Sequence, residues 1–335
     1  ASENGITMLF VKILTLAGID HELGVTSDRF TAKFNKDFMS WNYLQSFVLY
    51  FPGIDKFTVP DDFQYRLGLL PDEITNQEGL FLKKVKLGDF ENAIPDIKFI
   101  PTNKMEENFT NQIISVKLDE SFENALVDYR YEVGGLEAVY IKPFYDLLDN
   151  ENKISYIEQL TKIMGDDTKI LDTVLLNTSH LKSCLDEPFI IKSKLSIKSL
   201  VQKAGNNIIL NIGDVIGEQV EMYDEHERDN PVELDYAHYY MRDITVEIPQ
   251  GYAVRNLESL IIDIQTDKRG STDKDVVKAA GFISKYELQG NILKINVYEF
   301  YRDLDYPIEQ YEEFRNVINA AADFNKASII FEKTN

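Results

Sequence analysis

Cysteine is nearly absent: Cys184 is the only one in 335 residues, so no disulfide can form within the chain. That alone does not fix the compartment. Histidine is scarce too, with four residues, and Trp41 is the only tryptophan. Long apolar runs are missing. No stretch of about 18 apolar residues occurs, so no membrane-spanning helix is expected. A charged lead-in followed by a short apolar segment is also missing, so no signal peptide is expected within these residues. It opens at Ala1 almost directly on an apolar helix, and an upstream part is expected to be missing. Positive charge is in short supply, with 35 basic against 56 acidic residues and a net charge of −21. So acidic a surface repels phosphate backbones, which argues against nucleic acid as a partner, and it disfavours anionic lipid surfaces for the same reason.

What is present is ordinary for a folded chain. Hydrophobic residues make up 44% and charged residues 27%, and 20 Phe with 18 Tyr suit strand-rich cores. At about 100–200 residues per domain, the length suggests two or three domains. Texture changes place them at 1–104, 105–240 and 241–335.

Ile6, Leu9, Phe10, Ile13, Leu14 and Ala17 recur at helical spacing, with Gly18 as the stop. The spacing predicts a helix over 5–17, and its wide apolar face predicts a place at the centre of a core. Residues 45–51 read as a buried strand closed by Pro52-Gly53, and 56–71 as a short strand and an irregular stretch. Strands are expected at 111–118, 125–132, 169–176, 188–197 and 207–213. A helix at 152–164 presents Ile154, Ile157, Leu160 and Ile163. The polar stretch 221–236 reads as an acidic loop. Beyond Arg242, strands fit 243–248, 259–265, 281–288 and 291–300, with Gly290-Asn291 as a hairpin turn. The charged segment 265–278 reads as an exposed connection. A helix at 308–323 is expected to turn Ile308, Tyr311, Phe314, Val317, Ile318 and Ala321 inward, and 327–332 forms a last strand.

Few residues carry chemistry. His180 precedes Cys184 by four residues, one helical turn, which would suit a thiol–imidazole pair; the plainer reading is a cysteine packed as a small apolar group. His226 lies among Asp224, Glu225, Glu227 and Asp229, with His238 farther on, but adjacent side chains cannot all converge on one ion and the spacing fits no calcium loop or zinc helix. No metal or cofactor site is expected. His21 follows a turn and reads as a surface residue. Gly213 and Gly217 lack the Gly-Lys-Ser/Thr continuation of a phosphate loop and read as turns. Trp41 fits either a cleft wall or a core anchor.

The opening helix with Ala17-Gly18-Ile19 resembles the core of the bacterial transglutaminase-like (cysteine protease-like) superfamily. There a cysteine at a helix start, where the helix dipole favours a thiolate, works with a His and an Asp from later strands. Trp41-Asn42-Tyr43-Leu44 followed by Phe47-Val48-Leu49-Tyr50 is similar to the segment that carries the His. Val59-Pro60-Asp61-Asp62 followed by Gly68-Leu69-Leu70-Pro71 is similar to the segment that carries the Asp. The resemblance extends through Gly134-Gly135-Leu136-Glu137-Ala138. It also takes in Ile248-Pro249-Gln250-Gly251-Tyr252 and Tyr311-Glu312-Glu313-Phe314, similar to a C-terminal domain of unknown function in these proteins.

The three working positions fall on Glu3, Tyr43 and Val59. None can serve: a carboxylate forms no thioester, a phenol of ordinary pKa about 10 is a poor base, and valine orients nothing. The resemblance therefore implies an α+β chain: a partial transglutaminase-like core followed by two antiparallel β-rich domains. It also implies a catalytically inactive binding or scaffold module of the periplasm or cell envelope. Its old cleft would be lined by Trp41, Asn42 and Asp61, and its partner would be a peptide, glycan or protein. The alternative is an active thiol protease or acyl transferase whose nucleophile lies elsewhere.

Overall fold

The computed structural model describes every residue except 1–2, 39, 41, 89, 224–227, 271–276 and 335, and the side chains of Glu3, Lys86, Leu87, Glu91 and Ile163. Among the described residues the chain is α+β with four sheets, mostly antiparallel, and strand (41%) outweighs helix (22%). It divides into two compact units, Ala1–Lys104 with Ser179–Glu187, and Met105–Thr178 with Pro188–Asn335.

The first unit holds α1 (Glu3–Leu16) and an antiparallel sheet. Its strands are β1 (Glu22–Thr26), β2 (Ser46–Phe51), β3 (Lys56–Thr58), β4 (Gln77–Leu87) and β5 (Phe90–Ile100), ordered β3-β2-β1-β4-β5. Val48, Leu49, Phe57 and Phe81 are buried on it, joined by Leu69, Leu70 and Ile74 from the loop before β4. Gln77 fastens the loop after β1. Its amide nitrogen donates to the Ser27 and Glu73 carbonyls, and its oxygen accepts from the Phe34 amide. The segment 179–187 is held by Arg66, which donates to the His180 carbonyl at 2.8 Å.

The expected burial of the first helix is overturned. Met8, Leu9, Ile13 and Leu16 are all exposed, between 51% and 76%, and Thr7 is the helix's buried residue among those described. Helical spacing predicts that an apolar stripe exists; it does not supply the layer that covers it.

The second unit is built on an eight-stranded sheet. Its strands, in chain order, are β6 (Phe109–Leu118), β7 (Ala125–Gly134), β8 (Lys169–Leu176) and β9 (Phe189–Ile197), then, after shorter elements, β13 (His238–Glu247), β15 (Ile262–Asp267), β16 (Lys278–Gln289) and β17 (Ile292–Tyr301). A four-stranded sheet joins β10 (Val201–Ala204), β11 (Asn207–Leu210), β14 (Tyr252–Arg255) and β19 (Ile329–Lys333), and a two-stranded one joins β12 (Val232–Glu233) to β18 (Asp305–Tyr306). Helices α2 (Leu136–Val139), α3 (Lys142–Leu147) and α4 (Asn150–Thr161) follow β7, and α5 (Tyr311–Asn325) follows β18. In α4 only part of the expected inward stripe is covered: Ile157 is buried, whereas Ile154 is exposed; at α5 Phe314 and Val317 are buried as expected, whereas Ile308, in the turn before the helix, is exposed.

The large sheet runs β15-β16-β17-β13-β6-β7-β9-β8. All its pairings are antiparallel except β13 with β6, which is parallel. The two β-rich regions were thus expected to be purely antiparallel, and one central pair is not. The boundary expected at 240/241 falls inside β13, which takes β6 on one side and β17 on the other. Residues 105–240 and 241–335 therefore build one sheet. They also share one core: Ile114, Val127, Ile244 and Ile295 of the large sheet, Val317 and Phe324 of α5, and Leu210 and Phe331 of the small sheet. Each such side chain contributes about 1.5–3 kcal/mol when fully buried.

Candidate functional site

Alternation along a strand puts every second side chain on one face. On β13 that inward phase carries Ile244 and Val246, both buried, and toward its start Arg242, Tyr240 and His238. On β17 it carries Leu293, Ile295 and Val297, then Glu299 and Tyr301. On β6 it carries Val116 and Ile114, then Gln112 and Thr110. The registers align these polar positions: Arg242 lies beside Gln112, Tyr240 beside both Thr110 and Glu299, and His238 beside Tyr301. One face of the sheet is thus aliphatic at one end and polar at the other. Phe314 and Ile318 of α5 cover the polar end without filling it, which leaves a cavity of about 430 Å³.

The polar groups form a network. Arg242 donates from Nη1 to Glu299 Oε2 at 2.7 Å and from Nε to Gln112 Oε1 at 3.2 Å. Gln112 passes its own amide hydrogen to the Tyr129 hydroxyl at 3.0 Å, and the Tyr301 hydroxyl donates to Glu299 Oε1 at 2.8 Å. Arg242, Glu299 and Gln112 are each 4% exposed, so this ion pair has left bulk water. Such a pair costs desolvation and survives only where the remaining hydrogen bonds are made. Arg242 Nη2 makes no hydrogen bond among the described residues, although the residue lines the cavity. Its guanidinium lies 5.0 Å from the centroid of the Tyr240 ring.

Glu137 reaches the same cavity from α2. It accepts from the Tyr236 hydroxyl at 3.2 Å. Burial pushes its carboxyl above the ordinary glutamate value, while nearby His238 pulls it the other way. His238 faces the Tyr236 carbonyl through Nδ1 at 2.9 Å, so that nitrogen carries the hydrogen, and its ring lies 5.1–5.4 Å from the rings of Tyr301, Tyr240 and Tyr236. Burial, joined by the nearby carboxylates, holds the Tyr240 and Tyr301 hydroxyls well above the ordinary phenol range, so both stay protonated.

The backbone that aims Glu137 is specific. Gly135 has φ +60°, and a Cβ there would run into the Glu107 carbonyl and the Asn108 side chain. The fully buried Asn108 accepts from the Leu136 amide at 2.9 Å and donates to the Ala237 carbonyl at 2.9 Å. One amide thereby ties the turn bearing Glu137 to the start of the strand bearing His238.

Of the described residues singled out in the sequence for chemistry, His238 lines this cavity and the others do not. Val59 is buried in the first unit, where it lines a cleft of about 260 Å³ together with Asp61, Asp62, Ser46 and Glu73. Tyr43 and Asn42 do not line that cleft. The Tyr43 hydroxyl donates to the Asn35 carbonyl at 3.1 Å, and Asn42 is exposed, its carbonyl accepting from Gln45. Glu3 opens α1, and Trp41 lies outside the described residues. Cys184 is buried at 4% exposure, and 180–184 runs through turns rather than the expected helical turn. His21 bonds the Ile19 carbonyl beside it. His226 and its acidic neighbours 224, 225 and 227 lie outside the described residues, and no group of three His, Cys, Asp or Glu that could hold a metal occurs among the described ones. Gly213 lies in the 3-10 turn Ile212–Ile216, which Gly217 ends at φ +84°.

No protein-family model matches the chain, and no curated protein matches it. Among solved structures it is similar to the crystal structure of a putative protease from Parabacteroides distasonis ATCC 8503, at 12% identity and a TM-score of 0.41. The match covers 96% of this chain and 42% of that one, so the chain spans less than half the length of that protein. A likeness of this size leaves function to be argued from the chain's own residues.

Proposed function

We propose that the chain is a binding protein whose ligand occupies the cavity between α5 and the polar end of the eight-stranded sheet, and that it performs no thiol-dependent acyl transfer. The carrying observation is Arg242. A guanidinium withdrawn from water, with one nitrogen unmatched and facing a cavity, is a group awaiting an acceptor. Against acyl transfer stand the buried thiol and the three positions Glu3, Tyr43 and Val59, which offer neither nucleophile nor base. Losing either one from a working triad costs about 10⁶-fold in turnover. The transglutaminase-like ancestry and the cell-envelope setting rest on the sequence resemblance alone.

The test is a melting-temperature screen of the full chain and of Tyr240→Phe against a chemically mixed set of small polar molecules. A ligand at 100 times its Kd stabilises by about 2.7 kcal/mol, enough to move the midpoint by several degrees. Shifts that shrink by half or more in Tyr240→Phe are expected. Rapid alkylation of native Cys184 by iodoacetamide, with loss of a peptide-hydrolysing activity, would refute the proposal.

A further inference from the structure

The charges around the cavity narrow the chemistry of its ligand, given the binding reading above. Glu137, Glu218 and Glu299 line it against one guanidinium, Arg242, and the imidazole of His238. An anion would meet three carboxylates on a chain already carrying −21. A simple cation fares little better. The Glu299 carboxylate is occupied by Arg242 and Tyr301, and the face of Tyr240 is occupied by the Arg242 guanidinium. What is left over is a mixture of donors and acceptors. Arg242 Nη2 and the Tyr240 hydroxyl have hydrogens to give. Glu137 has carboxylate lone pairs beyond those that take the Tyr236 and Thr110 hydroxyls. Opposite them Phe314 and Ile318 present apolar surface. A molecule that matches all of this is neutral, gives and accepts hydrogen bonds from adjacent atoms, and has an apolar face. A pyranose has those properties: its vicinal hydroxyls do both, and its C–H face packs on aromatic rings.

We infer that the cavity binds an uncharged sugar unit, with adjacent hydroxyls bridging Arg242 and Glu137 and the ring face against Phe314 of α5. At about 430 Å³ the space suits one or two sugar rings rather than a longer oligosaccharide.

Calorimetric titration of the full chain tests this with glucose, mannose, N-acetylglucosamine and chitobiose as neutral probes, and with glucuronate and glucosamine as charged ones. At least one neutral sugar is expected to bind saturably, and the charged probes at least about ten-fold more weakly, or about 1.4 kcal/mol. Tyr240→Phe keeps the ring, removes only the hydroxyl and leaves the buried Arg242–Glu299 pair in place; it should weaken the neutral sugar about five-fold or more. Glu137→Gln should weaken it as well. Glucuronate or glucosamine binding more tightly than every neutral sugar, with sensitivity to Tyr240→Phe, would overturn the sugar assignment and leave the binding reading standing. So would silence from all six probes while other molecules shift the melting midpoint through Tyr240. Sugar binding indifferent to both variants would also overturn the assignment, because the sugar would then sit elsewhere. Silence from every compound would overturn both.

Discussion

At the scale of single residues, Arg242 and Glu299 make the sharpest case. Arg242→Met leaves the Glu299 charge buried at 4% exposure with only Tyr301 to hold it, and should cost about 3–5 kcal/mol. Glu299→Leu should cost a similar amount. The double variant removes both charges and should be far less damaged than the sum of the two, which chemical denaturation of the four chains would reveal. Glu137 gives a pH signature. Its folded-state pKa lies above the ordinary 4.5, so the folded chain holds that proton more tightly than the unfolded one. The stability this contributes is complete below 4.5 and is lost as pH rises through the folded value. Glu137→Gln mimics the protonated form. It should therefore be more stable than the natural chain at neutral pH and lose that advantage on acidification, as read from melting midpoints across the range. Sequence reading missed these residues for a physical reason. Strand recognition relies on apolar residues in the inward phase, and His238, Tyr240 and Arg242 break that pattern, so the strand was expected from 243 although it begins at His238. The signal was nonetheless present: Arg242 is in phase with Ile244 and Val246, Glu299 with Val297 and Ile295, and Gln112 with Ile114. Three strands each carrying a polar residue in a buried phase point to a lined cavity. Glu137 lay inside the Gly-Gly-Leu-Glu-Ala segment noticed by resemblance, but only the fold shows that its turn is held against β13.

At the scale of elements, periodicity located most strands and both long helices of the second unit, and Gly290-Asn291 does close the hairpin of β16 and β17. What periodicity could not supply is which faces are covered. The exposed stripe of α1 makes a clear contrast with α5. Leu9→Ala and Ile13→Ala should each change stability by no more than about 0.5 kcal/mol, as exposed positions do. Phe314→Ala on α5 should cost about 3–5 kcal/mol, because a buried ring is lost and the cavity grows. Comparing the denaturation midpoints of these three variants checks the assignment of covered faces. The long β4–β5 hairpin had no counterpart in the sequence reading. Leu82, Phe90, Ile94, Ile97 and Phe99 all stand exposed on it, so alternation there marks no boundary between core and solvent.

At the scale of the whole molecule, the division into two units and the net charge of −21 make separate predictions. Self-repulsion weakens the folded state and salt screens it over about 8–10 Å, so raising ionic strength from low to physiological should raise the melting midpoint. Two compact units need not unfold together. A ligand held within residues of the second unit alone should raise the transition of that unit and leave the other where it is, as read by calorimetry. The decisive measurement is a nuclear magnetic resonance titration of the chain labelled at histidine and tyrosine, using the strongest ligand from the melting screen. Perturbations confined to His238, Tyr240, Tyr301 and their neighbours, with Tyr43 unmoved, are the predicted result. Shifts centred on Tyr43 and the cleft around Val59, with the signals of β13 unchanged, would contradict it.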